Sequence, residues 1–191
     1  LLVLGAAGGV GSAAVELGKA MGAEVTAVAS TNDKVQFALE LGADNGLIYP
    51  AGAMDKAAQK ELSGELKLAC GKDGPDVVYD AVGGDYAEPA LRSMDWYGRY
   101  LVVGFPAGIP SFPLNLTLLK SVQVIGVFWG AAVARDPAGH AANVADLLKL
   151  YAEGKIKPRI SKTFPLERAG EAIQALGDRS AMGKIVVTVE S

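Results

Sequence analysis

Along the chain, short apolar runs alternate with longer segments of helical period. The run Leu1-Leu2-Val3-Leu4 has no polar interruption, as a strand covered on both faces requires, and it opens into Gly5-Ala6-Ala7-Gly8-Gly9-Val10-Gly11. Val10, Ala14, Leu17, Gly18 and Met21 then recur at helical spacing, and Gly22 stands where a C-cap is wanted, so the first helix is predicted to end near Met21. Val25 to Ala29 reads as a second strand, and Asn32 or Asp33 as the cap of a helix to about Leu41, before Gly42. Leu47 to Tyr49 reads as a third strand. From about Met54 to Ala69 the chain carries helix formers interrupted by Ser63-Gly64.

The same rhythm continues. Asp76 to Asp80 is an apolar strand, Val82-Gly83-Gly84 a turn, and Asp85 the expected cap of a helix to about Met94. Gly98 leads into a strand over Arg99 to Val103, and Pro106, Pro110 and Pro113 predict a loop. Val122 to Phe128, rich in Val and Ile, predicts another strand. Asp136-Pro137 reads as an N-cap with proline at the first helical position; Val144, Leu147, Leu148 and Tyr151 share one face, and Gly154 ends the helix. In the tail, Ile160 to Phe164 alternates weakly, Leu166 to Leu176 suits a short helix and Lys184 to Val189 a closing strand. This order predicts an α/β fold of the Rossmann type, a doubly wound, mostly parallel sheet with helices on both faces. Residues 1–128 are expected to form a dinucleotide-binding domain and 129–191 a C-terminal helix and strand segment.

Composition narrows the classes. With 191 residues, half of them hydrophobic, and a net charge of −3, the chain suits a globular α/β protein without a basic footprint for nucleic acid. No apolar run reaches the roughly 18 to 20 residues of a membrane span. One Cys excludes an internal disulfide and fits a reducing compartment, so a cytoplasmic location is expected. With one His and one Cys, no zinc site built from this chain alone is expected. Leu1 has neither an initiator Met nor a charged leader around it, and a central strand at the very start reads as part of a longer protein.

The strand, glycine turn and helix at the start carry the chemistry. Gly8 lets backbone approach a pyrophosphate, Gly11 lets the helix pack closely on the strand, and the amides of Gly9, Val10 and neighbours would face the phosphates at the positive end of the helix dipole. Written Ala6-x-Gly8-x-x-Gly11, the pattern has Ala where the common fingerprint has its first Gly; Ala6, Ala7, Gly8, Gly9, Val10 and Gly11 are the candidate phosphate-binding residues. In such sheets ligands lie at the carboxyl ends of the strands, which nominates Val82, Val103, Gly104, Phe105, Phe128 and Trp129 for the nicotinamide side.

These residues carry a resemblance. The glycine turn, the segment Asp80-Ala81-Val82-Gly83-Gly84, the run Gly98 to Gly104 and the ending Ala181-Met182-Gly183-Lys184-Ile185-Val186-Val187 together resemble the zinc-independent quinone oxidoreductases of the medium-chain dehydrogenase/reductase superfamily. The resemblance spans nearly all of the chain but only the cofactor-binding and C-terminal parts of such an enzyme. It implies a GroES-like domain outside this sequence as the other wall of the active-site cleft, packed against residues 129–191. Zinc-dependent relatives draw their ligands mostly from that other part, so the alanine-glycine form of the turn is the better sign of zinc independence.

Cofactor choice turns on the end of the second strand, where a carboxylate would hold the ribose 2′-hydroxyl of NAD. Here the strand ends in Ser30-Thr31, with Lys34 in the first turn of the next helix. Hydroxyls and an ammonium suit the 2′-phosphate of NADP(H), which a carboxylate would repel. The resemblance places Lys34, Ser30 and Tyr49 around that phosphate, and brings Gly183 and Lys184 to the cofactor from the C-terminal segment. Asp33 comes three residues late for a ribose contact and suits a helix cap instead.

No acid, base or nucleophile is assigned. His140 is distant in sequence from any strand end, Cys70 has no partner base nearby in sequence, and Tyr151-x-x-x-Lys155 lacks the unbroken helix that a Tyr-Lys pair requires, because Gly154 intervenes. The resemblance implies NADPH-dependent hydride delivery to a small-molecule acceptor, a quinone or an α,β-unsaturated carbonyl, by a homodimer. An enoyl or alkenal reductase would share every motif, and an NADPH-binding module without catalysis is the third alternative.

Overall fold

In a computed structural model, which describes residues 1–178 and 181–189, the first strand β1 (Leu2–Leu4) lies at the centre of a six-stranded sheet. Its unbroken apolar character follows from burial on both faces. Leu2 and Leu4 point into one core cluster with Val28, Val78, Leu62 and Leu91, while Val3 points into the other with Val15, Ala27 and Ala38. The remaining strands are β2 (Thr26–Ala29), β3 (Asn45–Ile48), β4 (Val77–Asp80), β5 (Arg99–Val102) and β6 (Gln123–Gly126). Their order is β3-β2-β1-β4-β5-β6 and every neighbouring pair is parallel. This is the doubly wound order that reverses direction beside the first strand, and it opens a crevice between the carboxyl ends of β1 and β4.

Helices α1 (Gly11–Ala20) and α2 (Asn32–Glu40) cover one face; α3 (Lys56–Ala69) and α4 (Ala87–Ser93) cover the other. Several boundaries differ from the sequence expectation. The cap of α2 is Thr31, whose hydroxyl accepts the Lys34 amide, rather than Asn32 or Asp33. Helix α3 runs unbroken through Ser63-Gly64 because Leu62 and Leu66 anchor its inner face. Asp85 does not cap α4: Gly84–Tyr86 form a tight 3₁₀ turn, and the Asp85 carboxylate accepts the Met54 amide instead.

The proline-rich segment ends in a short helix, α5 (Asn115–Leu119), and β6 stops at Gly126, short of the expected end at Phe128, after which Trp129 begins α6 (Trp129–Arg135). Asp136 caps α7 (Pro137–Ala152) by accepting the Gly139 amide, as the Asp-Pro signal predicts. Strands β7 (Ile160–Pro165) and β8 (Lys184–Thr188) form a separate parallel pair. The expected helix between them is a 3₁₀ turn over Leu166–Arg168 followed by α8 (Ala169–Gly177). Among the described residues no helix is long and apolar enough to cross a membrane.

Candidate cofactor site

At the carboxyl end of β1 the chain turns through Gly5, whose φ of +72° suits a residue without a Cβ. The amides of Gly5 and Ala6 both donate to the Val28 carbonyl, at 3.0 and 3.1 Å, and Gly8 donates back to the Gly5 carbonyl at 3.0 Å. These bonds fix the turn against β2. Val10, which precedes α1, supplies no side-chain cap, and among the described residues the amides of Gly9, Val10 and Gly11 donate no hydrogen bond. An uncapped, solvent-facing helix start with free donors is a ready anion site. A Cβ on Gly8 would meet nothing nearer than the Gly5 carbonyl oxygen at 3.5 Å, so internal packing does not demand glycine there. The space beside it fits the close approach of a dinucleotide pyrophosphate.

That space is the floor of an open cavity of about 350 Å³. Gly5, Ala7 and Gly8 come to it from the turn, Ala29, Ser30 and Lys34 from the end of β2 and the start of α2, and Tyr49, Ala51 and Gly52 from the chain beyond β3. Ala81, Val82, Tyr86, Pro106 and Ala107 close it from the β4 and β5 side. The Lys34 ammonium lies 3.4 Å from the Ser30 hydroxyl, to which it donates. The Tyr49 and Tyr86 rings contact each other with centroids 4.5 Å apart, and the Tyr86 hydroxyl donates to the Pro50 carbonyl at 2.9 Å. No Asp or Glu is among the described residues lining the cavity.

The structure thus brings Ala7, Gly8, Ser30, Lys34, Tyr49 and Val82 to one cavity. Ala6 is buried beneath the turn, Gly11 is packed under it, and Gly9 and Val10 form its outer edge. Gly183 and Lys184 arrive from far along the chain: the Gly183 amide donates to the Ala7 carbonyl at 2.9 Å and the Lys184 ammonium donates to the Gly9 carbonyl. Val103 and Gly104 follow β5, with both amides donating to the Asp80 carbonyl, and Phe105 is exposed beside them. Phe128 and Trp129 do not line the cavity; they are 80% and 67% exposed, with Trp129 set edge-on against His140.

Other groups considered from the sequence lie elsewhere. Burial pushes the Cys70 thiol up, away from the thiolate that a nucleophile needs. Lys155 lies beyond the end of α7 and pairs with Glu153, so it forms no helical couple with Tyr151. Two features were not anticipated from the sequence. Tyr86 joins the cavity from the 3₁₀ turn after β4, through its contacts with Tyr49 and Pro50 on the far side of the sheet order, which no local pattern announces. Asp80 is buried at the end of β4, where its carboxylate accepts the amides of Val82 and Gly83, both at 2.8 Å. The signal for it was present: an Asp two and three residues before a glycine turn commonly bonds the amides of that turn.

A parallel sheet in this strand order, with a glycine turn and helix start at its switch point, is the architecture of the dinucleotide-binding domains. Residues 9–151 match the model of the zinc-binding dehydrogenase family, and the chain belongs to that family, within the medium-chain dehydrogenase/reductase superfamily. It is similar to quinone oxidoreductase-like protein 2 of Bos taurus, with 35% identity over 100% of this chain and 53% of that protein. It is also similar to the acryloyl-coenzyme A reductase of Metallosphaera sedula, at 32% identity over 98% of this chain and 50% of that protein. The structure of Escherichia coli quinone oxidoreductase complexed with NADPH superposes with a TM-score of 0.79, at 28% identity, covering 98% of this chain and 56% of that one. The chain spans about half the length of the curated relatives it matches. Although the family is described by zinc, no group of three or more His, Cys, Asp or Glu gathers as a metal site among the described residues.

Proposed function

We propose that this oxidoreductase chain binds NADPH, and that the whole protein delivers its hydride to a quinone or a similarly conjugated carbonyl. The observation that carries the reading is the end of β2, where Ser30 and Lys34 line the same cavity as the glycine turn and, among the described residues, no carboxylate does. A 2′-phosphate carries nearly two negative charges, which an ammonium and a hydroxyl hold and a carboxylate would repel.

The bound cofactor supplies the hydride; the residues of this chain bind and orient it. Amides of Gly9 and Val10 take the pyrophosphate, and Lys184 adds positive charge at the same turn. Tyr49 flanks the adenosine phosphate. Val82, Val103, Gly104 and Phe105 face the nicotinamide side, and Phe128 and Trp129 offer apolar surface toward the acceptor. Residues 129–191 pack with the rest of the longer protein. No side chain among residues 1–191 serves as acid, base or zinc ligand, and the enzyme is cytoplasmic and zinc-independent.

A double-bond reductase is the second reading, favoured by the similarity to acryloyl-coenzyme A reductase. Steady-state turnover of the full-length protein with NADPH and either benzoquinone or acryloyl-coenzyme A separates the two. Quinone turnover is expected to dominate, while the reverse order supports the second reading. Tight NADPH binding without turnover of either would make the protein a binding module. Metal analysis of the active protein tests zinc independence. Calorimetric titration that finds no nicotinamide cofactor bound overturns the whole proposal.

A further inference from the structure

We propose that the buried Asp80–Tyr100 pair is the positioning element of this site, fixing the turn after β4 so that an apolar edge faces the part of NADPH beyond the adenosine 2′-phosphate. The inference rests on the NADPH reading above. Asp80 ends β4 and Tyr100 lies within β5; their relative exposures are 1% and 0%. Both carboxylate oxygens are used. Oδ1 accepts the Val82 and Gly83 amides, each at 2.8 Å, and Oδ2 accepts the Tyr100 hydroxyl at 2.5 Å. No cation pairs with Asp80 among the described salt bridges. Its charge is therefore held by oriented donors alone, and losing one of them leaves a buried charge short of partners. Burial and the neighbouring Asp80 charge both push the Tyr100 hydroxyl far up, so it remains a donor throughout the working pH range.

The consequence for the cavity is geometric. With its amides drawn inward, the turn has few backbone polar groups left to offer. The Val82 carbonyl accepts the Ala107 amide at 2.9 Å and the Gly84 amide donates to Gly108 at 2.7 Å. The lining on this side comes from Ala81 and Val82, with the Tyr86 ring, and from Pro106 and Ala107 of the loop bound to the turn. A Cβ on Gly83 would lie 2.7 Å from the Gly108 carbonyl oxygen, so the loop is packed directly against the turn. This wall stands across β1 from Ser30 and Lys34, because β2 and β4 flank β1 on opposite sides. A shift of the wall should alter contacts with one end of the dinucleotide and spare the other.

The test compares binding of NADPH with that of 2′,5′-ADP, which keeps the adenosine phosphates and lacks the nicotinamide half, in the full-length protein and its variants, with thermal unfolding measured alongside. Asp80→Ala and Tyr100→Phe are expected to raise the NADPH Kd by about 5- to 30-fold and to leave 2′,5′-ADP within about twofold. Asp80→Asn is expected to restore most of the difference, since its carbonyl keeps both turn amides and its NH₂ can donate to the Tyr100 oxygen. If Asp80→Ala fails to fold, Tyr100→Phe and Asp80→Asn carry the test. An equal loss of both ligands, no loss of either, or Asp80→Asn as impaired as Tyr100→Phe would overturn the positioning role alone. A wild type that binds neither ligand overturns the NADPH reading and this inference with it.

Discussion

A methyl group on Gly11 would lie 2.1 Å from the carbonyl oxygen of Gly5 and 2.9 Å from the Ala6 Cα. Helix α1 therefore starts directly against the turn it caps, and the close approach is to backbone that cannot rotate aside. Gly8, three residues earlier, has ordinary room for a Cβ. Alanine at the two positions should separate fold from binding. Gly11→Ala is expected to destabilise the protein by about 1–3 kcal/mol or more through overpacking, a fall in Tm of roughly 2–4 °C per kcal/mol. Gly8→Ala should stay within about 0.5 kcal/mol of wild type while weakening NADPH by roughly tenfold or more, because its methyl occupies the pyrophosphate's space. Differential scanning calorimetry and titration of both variants check the split; equal effects on Tm would remove the distinction.

The central strands were legible because their burial leaves little choice: Leu2, Val3 and Leu4 must all be apolar when alternate residues enter opposite cores. The glycine turn was legible because its constraint is local. Two short helices were not. Asn115–Leu119 and Trp129–Arg135 are too brief to display a helical period, and Pro113 and the expected strand end masked them. Thr31-Asn32-Asp33 offers three consecutive cap formers, and only the path of the chain leaving β2 selects Thr31. Ser63-Gly64 looked like a break, but the burial of Leu62 and Leu66 outweighs the roughly 1 kcal/mol cost of one glycine. The Asp80–Tyr100 contact joins residues 20 apart through the pairing of β4 with β5, which only the assembled sheet reveals.

Acid should loosen the α3–α4 face through Glu88. Burial raises the Glu88 carboxyl, but hydrogen bonds from Arg92 and Lys56 outweigh it and hold the pKa below the ordinary 4.5. A carboxyl depressed by folding stabilises the native state above its unfolded pKa, and that contribution disappears as pH falls through the folded value. Glu88→Gln is expected to cost about 1–3 kcal/mol at pH 7 and to make the loss of stability below pH 4.5 shallower than in wild type. Urea denaturation between pH 3 and 7 measures both; parallel stability curves for the two proteins would show that Glu88 does not contribute to the acid response.

Among the described residues strand β6 pairs only with β5, and its outer side is the edge of the sheet, with Gln123, Val124 and Gly126 exposed. An apolar edge invites pairing with another strand unless it is covered. A homodimer that joins two such edges into one continuous sheet is the expected assembly. Sedimentation of the wild type at micromolar concentration should give a dimer, and Val124→Lys, a charge on the edge, should shift it toward monomer without lowering the Tm of the monomer. A monomeric wild type, or a dimer indifferent to this substitution, excludes the β6 edge as the interface.

The contact of Lys34 with Ser30 at 3.4 Å places an ammonium and a hydroxyl together at the end of β2. A charge-assisted bond to the 2′-phosphate is worth about 1.5–3 kcal/mol, or roughly 10- to 150-fold in affinity. Lys34→Ala is therefore expected to weaken NADPH by about that factor and to leave NADH nearly unchanged, because NADH presents a neutral hydroxyl at the same place. Ser30→Asp should go further by repelling the phosphate and offering NADH a ribose acceptor, so that the preference reverses. Titration of both cofactors against wild type and the two variants is the measurement. Equal weakening of NADPH and NADH by Lys34→Ala would make the lysine a general contributor to charge or folding, and a wild type that prefers NADH would remove the end of β2 as the selector of the cofactor.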